Sequence, residues 1–162
     1  MIILEGIDKT GKTTLANYLS KELGFPIIKF SEPKKGEDPY YEYCKFLANT
    51  DLNCILDRYY LSELVYGRIK RGKSEIDKVK QKILELALQK CNVMAVYCQN
   101  DMAFIKNKFT EDKETYTKVE EIKPILNGYT KEIDKSLLKW HNYKIGDDMQ
   151  KLADKYRVFH KH

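Results

Sequence analysis

Residues 4–14 read LEGIDKTGKTT, and they follow an apolar run at the start of the chain. Gly6 and Gly11 permit backbone angles that other residues avoid, so the N–H groups between them can turn inward around a phosphate. Lys12 would then reach the β- and γ-phosphates of a nucleotide, and Thr13 would offer its hydroxyl to Mg²⁺. A helix that begins at Lys12 would point its positive end at the same anion. The stretch therefore predicts a nucleotide site with contacts from Gly6, Asp8, Lys9, Thr10, Gly11, Lys12, Thr13 and Thr14.

The length and composition are those of one globular domain. The chain has 162 residues, of which 43% are hydrophobic and 33% charged, and we expect a single domain over residues 1–162. It contains no apolar run near the roughly 20 residues that cross a membrane and shows no signal peptide. Its four cysteines lack the spacing of a metal site, so we interpret them as reduced thiols. These features predict a cytoplasmic protein without a membrane partner.

The charge pattern argues against a nucleic-acid partner. The net charge is +5, but 29 basic residues face 24 acidic residues that are interleaved with them. No basic stripe with regular aromatic residues is present, so binding of nucleic acid is disfavoured. A mildly cationic surface also suits an enzyme with small polyanionic ligands. We therefore expect a small-molecule nucleotide as the partner and allow for a homodimer.

Apolar runs alternate with amphipathic segments along the chain. This alternation predicts an α/β fold with a parallel sheet of about five strands and helices on both faces. The predicted strands are residues 1–5, 26–30, 52–56, 93–98 and 140–145; the predicted helices are 12–23, 38–48, 59–70, a long helix after 74, one after 117 that Pro124 kinks, and 147–158. Ligands of such sheets bind beyond the carboxyl ends of the strands, which directs attention to the residues that follow each strand.

The long helix after residue 74 shows a capping box and a helical apolar repeat. Ser74 with Asp77 has the spacing of the box. The apolar face that the repeat predicts consists of Ile76, Val79, Ile83 and Leu86.

Three segments taken in order resemble the thymidylate kinases. They are GIDKTGKTT at residues 6–14, FSEP at 30–33 and DRYYLSELVY at 57–66. The resemblance covers most of the chain and implies a P-loop NTPase fold with ATP and Mg²⁺ as cofactors. It implies transfer of the ATP γ-phosphate to a deoxynucleoside monophosphate, dTMP in the first place. Deoxynucleoside kinases share the Glu-Pro pair and are the nearest alternative.

The resemblance assigns roles within the loop. Asp8 corresponds to an acid that contacts the sugar hydroxyl of the acceptor, and Lys9 to a basic residue that stabilises the transferred phosphoryl group. Lys12 completes the catalytic charges of the loop. From the residues alone, Asp8 could instead cap a turn and Lys9 could be an ordinary surface lysine.

The ends of the second and third strands carry the remaining candidates. Glu32 would contact the acceptor or the Mg²⁺ shell, although in a nucleoside kinase it would be the general base. Asp57 would join Thr13 at the metal, and Arg58 would hold the acceptor phosphate in a bidentate fork. Two tyrosines, Tyr66 and Tyr41, are expected to contact the acceptor. Tyr40, Tyr43, Cys44 and Leu47 alternatively make a plain helical stripe.

A polar stretch without periodicity, about residues 106–116, resembles the kinase lid and carries Lys106, Lys108 and Lys113. Three departures from the family pattern leave the acceptor base open: Ser31 before Glu-Pro, a shorter stretch than usual between Glu32 and Asp57, and Gly67 after Tyr66. Besides a nucleoside kinase, another small-molecule or nucleic-acid kinase and a non-transferring P-loop ATPase stay as alternatives.

Overall fold

A computed structural model describes residues 1–34, 36–49, 52–111 and 116–159. Five parallel strands form one sheet in the order β2-β3-β1-β4-β5. The strands are β1 Ile2–Glu5, β2 Ile27–Lys29, β3 Ile55–Asp57, β4 Met94–Cys98 and β5 Trp140–Tyr143. The helices are α1 Lys12–Leu23, α2 Pro39–Asn49, α3 Tyr60–Arg71, α4 Lys78–Lys90, α5 Met102–Glu111, α6 Ile122–Ile133 and α7 Met149–Phe159. A 3-10 turn, Val119–Glu121, precedes α6.

The helices cover both faces of the sheet, which confirms the predicted α/β class. On one face Leu15 and Leu19 of α1 and Tyr156 of α7 pack against Ile2 and Leu4 of the central strand. On the other face the helices α2 to α6 enclose a larger core. That core includes Tyr59, Leu64, Leu84, Ile105 and Tyr129. Within the described residues, no helix is both long and apolar enough to pass through a bilayer.

The predicted inner face of α4 is wrong at three of its four residues, and only Ile76, just before the helix, is buried. Val79, Ile83 and Leu86 are exposed, and the helix buries Leu84 and Leu88 instead. Glu85 is buried beside them because its carboxylate is satisfied by the Gln81 amide and by three donors from outside the helix: the Tyr60 hydroxyl at 2.7 Å, the Ser136 hydroxyl at 2.8 Å and the Leu137 N–H at 2.8 Å. These partners come from distant parts of the chain, so the local repeat could not reveal them.

The capping box of α4 also differs from the prediction. Asp77 is the capping residue, and its carboxylate accepts hydrogen bonds from the N–H groups of Val79 and Lys80. Ser74 accepts from the N–H of Ile76 one turn earlier, so the helix begins three residues later than the box implied.

The stretch expected to be an irregular lid is helical over most of its described length. Residues 106–111 belong to α5, because Ile105 and Phe109 lie one turn apart and both are buried. Residues 112–115, and with them Lys113, lie outside the described residues. Pro124 lies in the first turn of α6, where proline is tolerated, so it does not kink the helix.

The topology gathers the candidate residues at one edge of the sheet. The central strand β1 lies between β3 and β4 and leads into the glycine loop before α1. Glu32 follows β2, and Arg58 follows β3. The carboxyl ends of parallel strands meet at one edge, which brings both side chains towards the loop.

Candidate functional site

The glycine loop has the backbone that a phosphate cradle requires. Gly6 has φ 141°, and a Cβ atom there would lie 2.1 Å from the carbonyl oxygen of Cys98, so only glycine fits. Gly11 has φ 82° and is the residue before α1. The Thr10 hydroxyl donates to the carbonyl of Ile7 at 2.7 Å and closes the turn. The loop between the two glycines is therefore held by its own hydrogen bonds.

Lys12 lies inside this loop and is only 6% exposed. Its ammonium group donates to the Ile7 carbonyl at 2.7 Å and lies 4.0 Å from the Asp8 carboxylate. Burial lowers the pKa of Lys12 to about 8, and the nearby Arg58 charge acts in the same direction. A polyanion in the loop would supply the negative charge that this buried cation requires.

A cavity of about 360 Å³ opens above the loop, and we call it the donor cavity. It brings together the predicted Lys9, Thr13 and Asp57. Its full lining is Asp8, Lys9, Gly11, Lys12, Thr13, Thr14, Asp57, Arg58, Phe104, Lys108 and Ile145. The sequence analysis did not predict Phe104 and Ile145, because an apolar side chain by itself carries no chemical signal of a site.

Arg58 lies at the end of β3 in a left-handed conformation, with φ 70°. Its guanidinium forms an ion pair with Asp8 and donates to the Ser62 hydroxyl at 3.3 Å. The same group lies over the ring of Tyr66, 5.0 Å from its centroid. Three contacts therefore fix this guanidinium at the mouth of the loop.

A second cavity of about 310 Å³ adjoins the first, and we call it the acceptor cavity. Four residues that the sequence analysis predicted to contact an acceptor line it: Asp8, Arg58, Glu32 and Tyr66. The full lining is Asp8, Phe30, Ser31, Glu32, Pro33, Tyr43, Arg58, Ser62, Glu63, Tyr66, Arg71 and Tyr116. Asp8 and Arg58 line both cavities, so they mark the place where the two spaces meet.

The expectation for Tyr41 does not hold in this geometry. Tyr41 is exposed on the outer side of α2, and Tyr43, two residues further on, faces the acceptor cavity. Side chains two residues apart on a helix point about 200° apart, so Tyr41 and Tyr43 cannot both face the cavity. Tyr43 packs against Phe30 and Tyr59, with ring centroids 5.2 and 4.5 Å apart.

Glu63 and Arg71 on α3 form an ion pair at the acceptor cavity that sequence reasoning missed. The buried Glu63 carboxylate accepts two hydrogen bonds of 2.6 Å from Arg71. Arg71 also donates to Glu32 at 3.1 Å and so links α3 to the loop after β2. The scarcity of arginine, with four in the chain, was the available signal.

A buried network behind the site connects the glycine loop with α3. Glu5 accepts hydrogen bonds from the N–H groups of Tyr59, Leu61 and Ser62 and from the Ser62 hydroxyl at 2.5 Å. Burial raises the pKa of Glu5, while the Ser62 hydrogen bond and the Arg58 charge act to lower it. The Tyr129 hydroxyl lies 2.9 Å from the Ser62 hydroxyl and donates to the Gly6 carbonyl at 3.3 Å.

Thr13 and Asp57, the residues predicted to hold a metal, both line the donor cavity. Asp57 lies 4.0 Å from the Lys29 ammonium group. In the part of the chain that the structure describes, no cluster of three or more histidine, cysteine, aspartate or glutamate residues could form an all-protein metal cage.

Comparison with known proteins finds similarity over nearly the whole length of this chain. No protein-family model matches. The SPbeta prophage-derived uncharacterized protein YorR of Bacillus subtilis (strain 168) is 32% identical over 149 residues, which cover 90% of this chain and 89% of YorR. A crystal structure of Bacillus subtilis YorR in complex with phosphorylated GDP has a TM-score of 0.81 at 27% identity, covering 97% of this chain and 93% of that chain.

Deoxyadenosine kinase from M. mycoides shares the fold at lower similarity. Its structure with the products dCMP and a flexible dCDP has a TM-score of 0.59 at 16% identity, covering 97% of this chain and 96% of that chain. Its structure with bound dATP has a TM-score of 0.58 at 13% identity, covering 97% of each chain. The chain therefore has the P-loop fold found in nucleotide and nucleoside kinases.

Proposed function

The chain belongs to the family of YorR, and on this premise we propose that it is a P-loop kinase for deoxynucleoside monophosphates. It would transfer the γ-phosphate of ATP to its acceptor, with dTMP as the preferred one. The structure of YorR contains phosphorylated GDP, and the structure of deoxyadenosine kinase, which shares the fold, contains dCMP and dCDP.

One observation carries the proposal: two cavities meet at Asp8 and Arg58. Phosphoryl transfer needs the donor and the acceptor in line, with cations where charge develops. A nucleotide with its phosphates in the glycine loop would point its γ-phosphate towards Arg58. An acceptor in the adjoining cavity would face that phosphate from the other side. A P-loop ATPase without an acceptor would not need the second cavity.

The donor cavity supplies the charges for ATP. Lys12 and the loop N–H groups would hold the β- and γ-phosphates, and Lys9 would face the transferred group. Thr13 and Asp57 would hold Mg²⁺, which needs only one or two protein ligands beside phosphate oxygens and water, so this residue pair fits the ion. When bound, Mg²⁺ neutralises charge on the phosphates.

In the acceptor cavity, Arg58 would bind the acceptor phosphate through its guanidinium fork. Asp8, which pairs with Arg58 in this structure, could then contact the sugar hydroxyl of the acceptor. An acceptor phosphate is already ionised, so Glu32 need not remove a proton and would instead hold Arg71 in place. Tyr66, which stacks under Arg58, would keep the guanidinium aligned.

We place the lid at α5 and the residues after it, about 106–116. Phe104 and Lys108 of this helix line the donor cavity. Movement of α5 towards the loop would exclude water and bring Lys108 to the phosphates.

A specific observation favours a deoxynucleoside kinase as the second candidate. The acceptor cavity holds three carboxylates, from Asp8, Glu32 and Glu63, against two guanidinium groups. Both guanidinium groups already have carboxylate partners. A neutral nucleoside would leave these pairs intact, and Glu32 would then serve as the general base.

An arginine-to-lysine pair of variants tests the phosphate contact. Arg58→Lys keeps the charge but loses the fork, so the KM for dTMP should rise about tenfold with little change in the KM for ATP. Arg157→Lys is the matched control, because Arg157 pairs with Asp154 and Glu22 on α7 and α1 and lies outside both cavities. Equal KM values for dTMP in the two variants would show that Arg58 does not contact the acceptor.

A further inference from the structure

A glycine lies inside α3, where it costs helical stability relative to alanine. The backbone at Gly67 is helical, so the conformation itself does not require glycine. The space around it does: a Cβ atom at position 67 would lie 2.8 Å from Nη2 of Arg71 and 2.8 Å from Oε1 of Glu63. It would also lie 3.0 Å from the carbonyl oxygen of Lys73. Gly67, one of the departures from the family pattern, therefore makes room for the Glu63–Arg71 ion pair.

The Glu63 carboxylate supports Arg71 and is closed to a ligand. Its side chain is only 2% exposed. It accepts both 2.6 Å hydrogen bonds from Nη2 of Arg71, one from the N–H of Glu75 at 3.1 Å and one from the Ser74 hydroxyl at 3.5 Å. With its oxygens occupied in this way, Glu63 fixes the guanidinium and leaves the contact with a bound molecule to Arg71.

Arg71 keeps hydrogen-bond donors for such a contact. A guanidinium has five N–H groups. Among the residues that the structure describes, Glu63 accepts from Nη2 and Glu32 accepts from Nη1 at 3.1 Å, which leaves at least two N–H groups. The side chain is 29% exposed and lines the acceptor cavity. A ligand in this cavity therefore meets a fixed cation that can only donate.

The position of Arg71 in the cavity corresponds to the base of an acceptor. Asp8 and Arg58 line both cavities, whereas Arg71 lines only the acceptor cavity. A nucleotide whose phosphate contacts Arg58 would direct its base away from the donor cavity, among the residues that line the acceptor cavity alone. Four of these carry aromatic rings that suit a flat base: Phe30, Tyr43, Tyr66 and Tyr116.

A group that only donates discriminates between bases by their exocyclic groups. Thymine and guanine present a carbonyl oxygen, O4 or O6, on the edge where cytosine and adenine present an amino group. A carbonyl oxygen there would accept from Arg71, and the adjacent N7 of guanine also accepts. An amino group would set donors against donors and leave both without a partner in a closed site, which is costly.

We propose that Arg71 selects acceptors whose base presents a carbonyl oxygen on this edge, namely 4-oxopyrimidines and 6-oxopurines, over the corresponding amino bases. Glu63 and Gly67 are positioning residues, because one holds the guanidinium and the other leaves it space. The inference rests on the proposed function in so far as it takes the acceptor cavity as a nucleotide site. It applies to monophosphate and nucleoside acceptors alike.

Calorimetric titration with dUMP and dCMP tests the preference without turnover. These two ligands share the sugar and the phosphate and differ only at position 4 and in the N3 proton. With the donor cavity filled by a non-hydrolysable ATP analogue, dUMP should bind at least about tenfold more tightly than dCMP. Deoxyuridine and deoxycytidine, titrated in the same way, should rank in the same order.

A pair of glycine variants tests the geometry. Gly67→Ala keeps both charges, but its Cβ atom displaces the ends of Glu63 and Arg71, so the ratio of the dUMP and dCMP affinities should fall severalfold. Gly128→Ala is the matched control, because Gly128 also lies inside a helix and its added Cβ would crowd Val65 at 3.0 Å instead. This variant should keep the wild-type ratio.

A pair of double variants tests the chemistry. Arg71→Gln alone would leave the buried Glu63 without its cation and endanger the fold. The double variant Glu63→Gln, Arg71→Gln removes both charges, and its amides both donate and accept, so the affinity ratio should approach one. Arg68→Gln with Glu132→Gln is the matched control, since it removes another pair with a buried glutamate from the same helix, outside both cavities. Thermal melting shows that each variant is folded.

The proposal would be overturned by a wild type that binds dUMP no better than dCMP, by a preference that survives in both Gly67→Ala and the Glu63–Arg71 double variant, or by an equal loss in the controls. Absence of binding by all four ligands would overturn it as well. Phosphoryl transfer to nucleosides alone, with the base ranking retained, would contradict the monophosphate kinase and leave the role of Arg71 in place.

Discussion

Lys9 and Arg58 share a backbone conformation that most side chains avoid. Their φ angles are 67° and 70°, and Asn92 after α4, with φ 50°, is the third such residue among the described non-glycine residues. The left-handed region costs about 1–2 kcal/mol for a residue with a Cβ atom. Strain of this kind persists where the surrounding structure holds it and often belongs to a functional site.

Substitution by glycine separates strain from chemistry. Lys9→Gly should raise the free energy of unfolding by up to about 1 kcal/mol and still lower kcat about tenfold or more, because the charge beside the transferred phosphoryl group is lost. Asn92→Gly should also stabilise the protein but leave kcat unchanged. Urea unfolding and initial rates give both quantities. A loss in Lys9→Gly that is confined to the KM for ATP would make Lys9 a simple binding residue.

The lowered pKa of Lys12 predicts a pH dependence of ATP binding. Only the protonated ammonium attracts phosphate, so the affinity for ATP should fall as the pH rises through about 8. Bound phosphate favours the charged form, so binding near this pH should also take up protons. Calorimetry in two buffers of different ionisation enthalpy measures this uptake.

Lys12→Arg is the control for this experiment, because arginine keeps its charge over the whole range. Its ATP affinity should not change between pH 7 and pH 10, whatever its absolute value. A wild-type affinity that is equally flat would show that Lys12 does not titrate in this window.

At the scale of elements, the buried network of Glu5, Ser62 and Tyr129 fixes α3 and α6 against the glycine loop. Tyr129 lies on α6, and its hydroxyl donates to the Gly6 carbonyl. The position of the loop therefore depends on a hydroxyl group that does not line either cavity.

Removal of this hydroxyl should affect both folding and turnover. Tyr129→Phe leaves the buried Gly6 carbonyl without its donor, so the free energy of unfolding should fall by about 1–2 kcal/mol. A displaced loop should also lower kcat by roughly three- to tenfold. Tyr156→Phe is the control: its buried hydroxyl accepts from the amino terminus at 3.0 Å, on the other face of the sheet. It should lose stability without losing kcat, and equal kcat values in both variants would count against a positioning role for Tyr129.

Element type was predictable from the sequence, but the orientation of individual helices was less so. The strand–helix alternation and the glycine loop depend on local spacing, which the sequence contains in full. The inner face of α4 depends on Glu85, whose partners Tyr60 and Ser136 lie far away along the chain. The helical form of residues 106–111 depends on two buried side chains within an otherwise polar stretch.

At the scale of the whole molecule, the sheet order places three chain segments at one edge, and this explains which candidate site residues could be predicted. Lys12, Arg58 and Glu32 belong to motifs at strand ends, where the fold class itself predicts ligands. Glu63 and Arg71 lie within a helix, and only the tertiary structure shows that they face the acceptor cavity. The placement of Tyr41 failed because α2 packs Tyr43 against Phe30 and Tyr59, which leaves Tyr41 exposed, and these tertiary contacts are not visible in the sequence.

The identity of the acceptor is the central claim, and it is measured by product formation from labelled Mg-ATP. The panel contains nucleosides, their monophosphates and, because YorR was solved with phosphorylated GDP, guanosine nucleotides. Thin-layer chromatography should show transfer to a deoxypyrimidine monophosphate, dTMP first, and much less to thymidine. Phosphorylation of nucleosides with none of the monophosphates would contradict the claim and move the chain to the nucleoside kinases.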